Sequence, residues 1–190
     1  MESEAGRLVV LSGPSGAGKT SVVRALKEDP RVEFSVSATT RGQRPGEVDG
    51  VDYWFLARED FEARINRSEF IEWAVYNGEY YGTLRSQMDQ ALASGRHFVI
   101  EIEVQGTKQL RESGVPGDYV FLVPPSLDDL RERLEARAAN DPDDIARRVA
   151  IAERELAEAH LYDHVVVNRS LDDAIAEVKR VIGIDGVAHA

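Results

Sequence analysis

The 190-residue sequence contains no cysteine. Disulfide frameworks and thiolate-ligated metal centres are excluded at once, which suits a reducing compartment. Any metal must be held by oxygen or by the four histidines, and His97, His160, His164 and His189 show no ligand spacing. Long apolar runs are missing as well. The longest, Tyr119 to Pro125, falls far short of the roughly 20 residues that span a bilayer, and Met1 to Gly6 carries two glutamates and no apolar stretch. A soluble, cytoplasmic protein with no membrane partner is expected. There is also no basic surplus: 23 Lys and Arg stand against 34 Asp and Glu, for a formal charge of −11. That argues against nucleic acid as a partner, and an anionic small molecule would need a locally basic pocket. Neither a fixed-period repeat nor a low-complexity stretch occurs, so solenoid and linker readings fail. At this length a single domain with a sizeable core is expected.

What is present is an alternation of strand-like and helical segments. Arg7-Leu-Val-Val-Leu-Ser12 is a short, branched apolar run, the pattern of a strand covered on both faces. A helix starting near Lys19 keeps Val22, Val23 and Leu26 on one stripe and must end before Pro30. Further strands are expected at His97–Glu101, Asp118–Val123 and His164–Val167. The helices that follow them are expected at Gln105–Glu112, Leu127–Ala139 and Leu171–Ile182, with Ser126 and Ser170 as N-caps of the last two. The alternation implies an α/β class: three layers around a mainly parallel central sheet.

Two stretches interrupt the pattern. Phe34 to Gly82, rich in Gly, Arg and aromatic residues, with one helix around Asp60 to Arg67, reads as an inserted α+β lobe. Asp128 to His160 is nearly all helical and charged, is broken at Asn140-Asp-Pro142, and reads as a hinged helical lid. The expected core covers about 7–36, 84–127 and 161–183, with the lobe at about 37–83 and the lid at about 128–160. Met1–Gly6 and Ile184–Ala190 are expected to be loose.

The strongest motif is Gly13-Pro14-Ser15-Gly16-Ala17-Gly18-Lys19-Thr20, a complete G-x-x-x-x-G-K-[ST], placed between the first strand and its helix. The glycines let backbone N–H groups turn inward around an anion, and the helix N-terminus adds positive potential. Lys19 reaches the β- and γ-phosphates, Thr20 offers a hydroxyl to Mg²⁺, and Ser21 follows in the first helical turn. The fold expected is therefore that of P-loop nucleotide-binding proteins, with ATP as ligand. No Asn-Lys-x-Asp or Thr-Lys-x-Asp guanine-reading tetrapeptide occurs, which counts against a GTPase. The inserted lobe falls where a second substrate would bind.

Residues in and after that lobe resemble the guanylate kinase family over nearly the whole chain, roughly Leu8 to Gly183. The matching strings are Phe34-Ser-Val-Ser-Ala-Thr-Thr-Arg41, Arg44-Pro-Gly-Glu-Val-Asp-Gly-Val-Asp-Tyr53, Phe70-Ile-Glu-Trp73, Tyr80-Tyr-Gly-Thr83 and Val104-Gln-Gly106. The resemblance implies a Mg²⁺-dependent transfer of the ATP γ-phosphoryl group to GMP or dGMP. It gives Arg41, Arg44, Tyr53 and Tyr81 the GMP phosphate, and two guanidinium forks with two phenols suit a dianion. It gives Ser37, Glu72, Thr83 and Glu103 the base. Guanine presents N1–H and a 2-amino group side by side, and one ionised carboxylate can accept from both, whereas adenine has an acceptor at N1. Glu103 stands where the family usually has aspartate. Glu101, ending an apolar strand, is either an acid near Mg²⁺ or a cap for the next helix.

Arg133 and Arg137, four apart on one helical face, and Arg148 on the next helix match the family's lid arginines, which would meet the γ-phosphate on closure. Ala138-Ala139 replace a Gly-Thr pair common there. Asn168 matches a family residue near the ATP adenine. Two other readings remain open: a non-catalytic interaction module of the same fold, which would ordinarily have lost the phosphate loop, and a related kinase with another phosphorylated acceptor, against which Ser37, Glu72 and Thr83 speak.

Overall fold

Leu8, Val9, Val10 and Leu11 are all buried, and their side chains alternate between two separate apolar clusters. A strand can do this only with a layer of helices on each side. The computed structural model describes residues 5–137 and 142–185. Five parallel strands form the main sheet in the spatial order β2 (Val32–Phe34), β7 (His97–Glu101), β1 (Leu8–Ser12), β8 (Asp118–Val123) and β9 (His164–Val167). Helices α1 (Lys19–Leu26) and α7 (Leu171–Val181) cover one face through Val22, Leu26, Ala174 and Val178. Helices α3 (Arg85–Ala93) and α4 (Val104–Glu112) cover the other through Met88, Ala91 and Leu110.

The expected strand limits at β7, β8 and β9 are those observed. Ser126 and Ser170 each accept a hydrogen bond from the N–H three residues on, at 3.0 and 3.2 Å, as N-caps do. Strand β2 was not legible, because three residues including Glu33 at a sheet edge carry no period. One expectation is corrected. Ile184 is not loose: its side chain is 2% exposed within the α1/α7 cluster, and its carbonyl accepts from Arg31 at 2.9 Å.

The insertion forms its own sheet, in the order β4 (Trp54–Phe55), β3 (Ala38–Thr39), β6 (Glu79–Leu84) and β5 (Phe70–Tyr76). Phe34 belongs to the main sheet and β6 runs on to Leu84. Helix α2 (Arg58–Asn66) lies on it with Phe61 stacked against Phe70 and Tyr80, at centroid distances of 4.2 and 5.1 Å. The β5–β6 turn is made by Asn77 and Gly78, both at positive φ, the requirement of a two-residue type I′ hairpin.

Helices α5 (Leu127–Arg137) and α6 (Pro142–Leu156) pack through Leu130, Leu134, Val149 and Ala152. Ala138-Ala139 and the break at Asn140-Asp141 lie outside the described residues. Among those described, no helix is long and apolar enough to cross a membrane.

Candidate active site

The turn between β1 and α1 is built so that only glycine fits where it bends. Gly16 has φ 90°, and a Cβ there would lie 2.8 Å from Leu130 of α5. Gly18 has φ 101°, and a Cβ there would collide with the Asn168 carboxamide. Ala17 N–H donates to Pro14 at 3.1 Å, and Ser21 N–H to Gly18 at 3.1 Å as the helix begins. Lys19 folds back over the turn and donates to the carbonyls of Gly13 and Pro14 at 2.5 and 3.2 Å. Burial lowers its pKa, while Glu101, Glu155 and Glu103 pull it back up. A cavity of about 820 Å³ opens above it, bordered by Ser15, Glu101 and Glu103 on one side and by Arg147, Arg148 and Glu155 of α6 on the other.

A second cavity, of about 300 Å³, lies between the two sheets and includes Ser37, Tyr53, Glu72, Tyr81 and Glu103 in its walls. Both volumes suit small-molecule sites. The cavities share Tyr53, Tyr76, Glu101, Ile102 and Glu103, so they form one continuous cleft. Glu72 owes its position to an irregularity in the β5–β6 ladder, where Phe70 faces Leu84 but Glu72 faces Thr83, leaving Ile71 as the extra residue. Ile71 enters the main core, Phe70 the core of the insertion, and Glu72 the cleft. Its carboxylate accepts from Thr83 Oγ1 at 2.6 Å and is 7% exposed. Burial pushes its pKa up, and the Thr83 hydrogen bonds only partly offset this.

Beside that cavity, Arg41 is fixed by Glu47, at 2.8 and 3.1 Å, and lies over the rings of Tyr53 and Phe55, at 5.2 and 5.7 Å. The same carboxylate accepts from the Arg44 backbone N–H at 2.7 Å. Glu47 thus sets both the loop and the fork. Its own pKa is held below the usual carboxylate range by Arg41 and the Arg44 N–H.

A complete phosphate loop facing a buried carboxylate across one cleft narrows the family, and comparison with known proteins decides it. The family model described as "Guanylate kinase" matches residues 5–184. The chain belongs to the guanylate kinase family. A curated guanylate kinase of Halalkalibacterium halodurans is 45% identical over 183 residues, covering 96% of this chain and 90% of that one. One of Streptococcus agalactiae is 47% identical over 182 residues, covering 95% and 87%. The crystal structure of guanylate kinase from Anaplasma phagocytophilum superposes with a TM-score of 0.72 at 29% identity, covering 95% of this chain and 86% of that one.

Within this guanylate kinase fold, the expected base and phosphate residues Ser37, Tyr53, Glu72, Tyr81 and Glu103 share one cavity, with Thr83 bonded to Glu72 and Arg41 against Tyr53. Arg44 is exposed and lines neither cavity. Gly13, Ser15, Lys19, Glu101 and Arg148 share the other cavity. Thr20 is exposed in the first turn of α1, while Pro14 and Ala17 are buried in the loop. Glu101 caps no helix: the N-cap position of α4 is Glu103, whose side chain makes no capping bond. Arg133 donates to the Asn168 carbonyl at 2.9 Å. The Arg137 side chain lies outside the described residues. Asn168 is 5% exposed and sits behind the loop, its Nδ2 donating to the Ala17 carbonyl at 2.7 Å.

Among the polar residues not singled out from sequence are Tyr76, Arg147 and Glu155 of the cleft and Glu47 beside it. Glu47 had a signal in its spacing after Arg41 and Arg44. Glu155 had none, being one glutamate among many on a charged helix.

Proposed function

We propose that this protein transfers the γ-phosphoryl group of ATP to GMP or dGMP, giving ADP and GDP. The observation that carries the reading is the continuity of the cleft, with a phosphate loop at one end and the Glu72–Thr83 pair at the other. Glu72 would accept from guanine N1–H and the 2-amino group, with Ser37 and Glu103 beside it. Arg41, Arg44, Tyr53 and Tyr81 would hold the acceptor phosphate between base and loop.

The acceptor phosphate has a second pKa near 6 and is largely dianionic at neutral pH, so no general base is required. Catalysis then consists of in-line positioning and charge stabilisation. In that scheme Lys19 moves from the loop carbonyls to the transferring phosphate, and Arg148 approaches it from α6, with Arg133 and Arg137 supplied from α5. Closure of α5 and α6 as a lid would exclude water. Mg²⁺ suits the donor set: the Thr20 hydroxyl and the Glu101 carboxylate are hard oxygen ligands, one or two of which suffice beside phosphate oxygens. When bound, the ion supplies neutralisation of phosphate charge. Among the described residues, no cluster of three or more His, Asp or Glu would hold a metal unaided. A cytoplasmic site of action, with no nucleic acid or membrane partner, belongs to the same proposal.

The test is a coupled assay of ADP release with GMP, dGMP, AMP and UMP. The expected result is a kcat/KM for GMP far above that for AMP. A higher value for AMP overturns the acceptor, and no turnover with any of the four favours a non-catalytic module.

A further inference from the structure

Two core helices each present a glutamine to the inserted lobe or to the link that enters it, and each glutamine grips the backbone one residue away from a proposed guanine contact. On α3, the Gln87 carboxamide pairs with both backbone groups of Val36: Oε1 accepts from Val36 N–H at 2.9 Å and Nε2 donates to the Val36 carbonyl at 2.8 Å. Val36 precedes Ser37. On α4, Gln109 Oε1 accepts from Trp73 N–H at 3.2 Å. Trp73 follows Glu72. Strand β5 is the edge of its sheet, so the Trp73 N–H that faces away from β6 would otherwise lack a strand partner. Val36 lies in the link between β2 and β3, where no strand pairs with it.

One turn before Gln109 on the same helix, Gly106 sits against the Glu72 carboxylate. A Cβ at that position would lie 3.0 Å from Oε2. Helix α4 therefore does two things to one residue, leaving room for the Glu72 side chain and tying down its backbone. Ser37 and Glu72 line the same cavity from opposite chain segments, and hydrogen-bond discrimination fails when a partner is misplaced by about 1 Å.

We infer that Gln87 and Gln109 are positioning residues for guanine recognition, each registering one base-contacting residue against the core. Neither touches substrate. The inference rests on the reading of Ser37 and Glu72 as base contacts. It also makes an asymmetric statement. Gln109 uses only its acceptor, so glutamate can replace it; Gln87 uses acceptor and donor together, so glutamate cannot.

The experiment measures kcat and KM with GMP and with IMP, which lacks the 2-amino group, for Gln87→Leu, Gln109→Leu, Gln87→Glu, Gln109→Glu and Glu72→Gln. Expected are a rise of about fivefold in the KM for GMP and a similar fall in the GMP:IMP ratio of kcat/KM for Gln109→Leu, the size of one net hydrogen bond, and changes at least as large for Gln87→Leu, which loses two. The KM for ATP stays within twofold. Gln109→Glu retains the wild-type ratio, whereas Gln87→Glu behaves like Gln87→Leu. Leucine variants that keep the ratio while Glu72→Gln loses it overturn the inference and leave the base assignment standing. A Glu72→Gln variant that keeps the ratio overturns the base assignment itself. If a leucine variant fails to fold, the contrast between the two glutamate variants still decides, and equal behaviour of those two counts against the inference.

Discussion

The Asn168 carboxamide donates to the Ala17 carbonyl at 2.7 Å, joining residues 151 apart in sequence across the back of the phosphate loop. Asn168 is held in turn by its own N–H, which donates to Val123 at 2.8 Å, and by Arg133, which donates to its carbonyl at 2.9 Å. The glycine at position 18 leaves space for this contact. Strand ends and the α5 helix thereby converge on one strut that shapes the anion cradle.

Asn168→Leu removes the strut and leaves the buried Ala17 carbonyl without its donor, a loss of about 1–3 kcal/mol. The KM for ATP is expected to rise about tenfold while the KM for GMP stays within twofold. Equal effects on the two substrates would indicate a general loss of packing instead.

Lys19→Ala removes the ammonium proposed for the transferring phosphate. A fall in kcat of about 10²-fold or more is expected, with the far-ultraviolet circular dichroism spectrum unchanged. Turnover at the wild-type rate would contradict the role assigned to Lys19.

Glu72 carries a conflict between stability and recognition, and pH exposes it. Burial raises its pKa from the usual 4.5. Between that value and the raised one, the folded chain holds a proton the unfolded chain has released, so this group's contribution to stability falls as pH rises through the window. Glu72→Gln never ionises. At pH 8 its Tm is expected to exceed that of the parent. The difference should vanish as pH approaches 4.5. Thermal melts of both proteins across this range check the sign, and a Tm gap that widens on acidification is incompatible with it. In the same variant, kcat/KM for GMP should fall about tenfold to a hundredfold, as for loss of hydrogen bonds to a charged group.

Glu47→Gln leaves Arg41 among its aromatic neighbours but loosens one edge of its fork. The KM for GMP is expected to rise about three- to tenfold with kcat little changed, the pattern of weakened ground-state and transition-state binding alike. A drop in kcat at constant KM would assign Glu47 to the chemical step instead.

Legibility in the sequence followed the range of the physics. β1, β7, β8 and β9 were readable because strands covered on both faces are continuous apolar runs, and α1 because its stripe and the loop before it are local. β2 was not, since three residues at an edge have no period and exist as strand only through pairing with β7. The loop motif is likewise local, and the arginine spacing and family strings pointed to the second pocket.

By itself the sequence determined the anion cradle, the α/β alternation, the family and the chemical types available in the cleft, because each depends on neighbours within a turn, a strand or a short motif. Only the tertiary structure decided that Asn168 supports Ala17, that Ile184 closes the core, that Arg133 turns to the Asn168 carbonyl, and that Gln87 and Gln109 hold Val36 and Trp73. These are contacts between segments far apart in the chain. Their partners are selected by how sheet and helices pack, and no local pattern of residues encodes that distance.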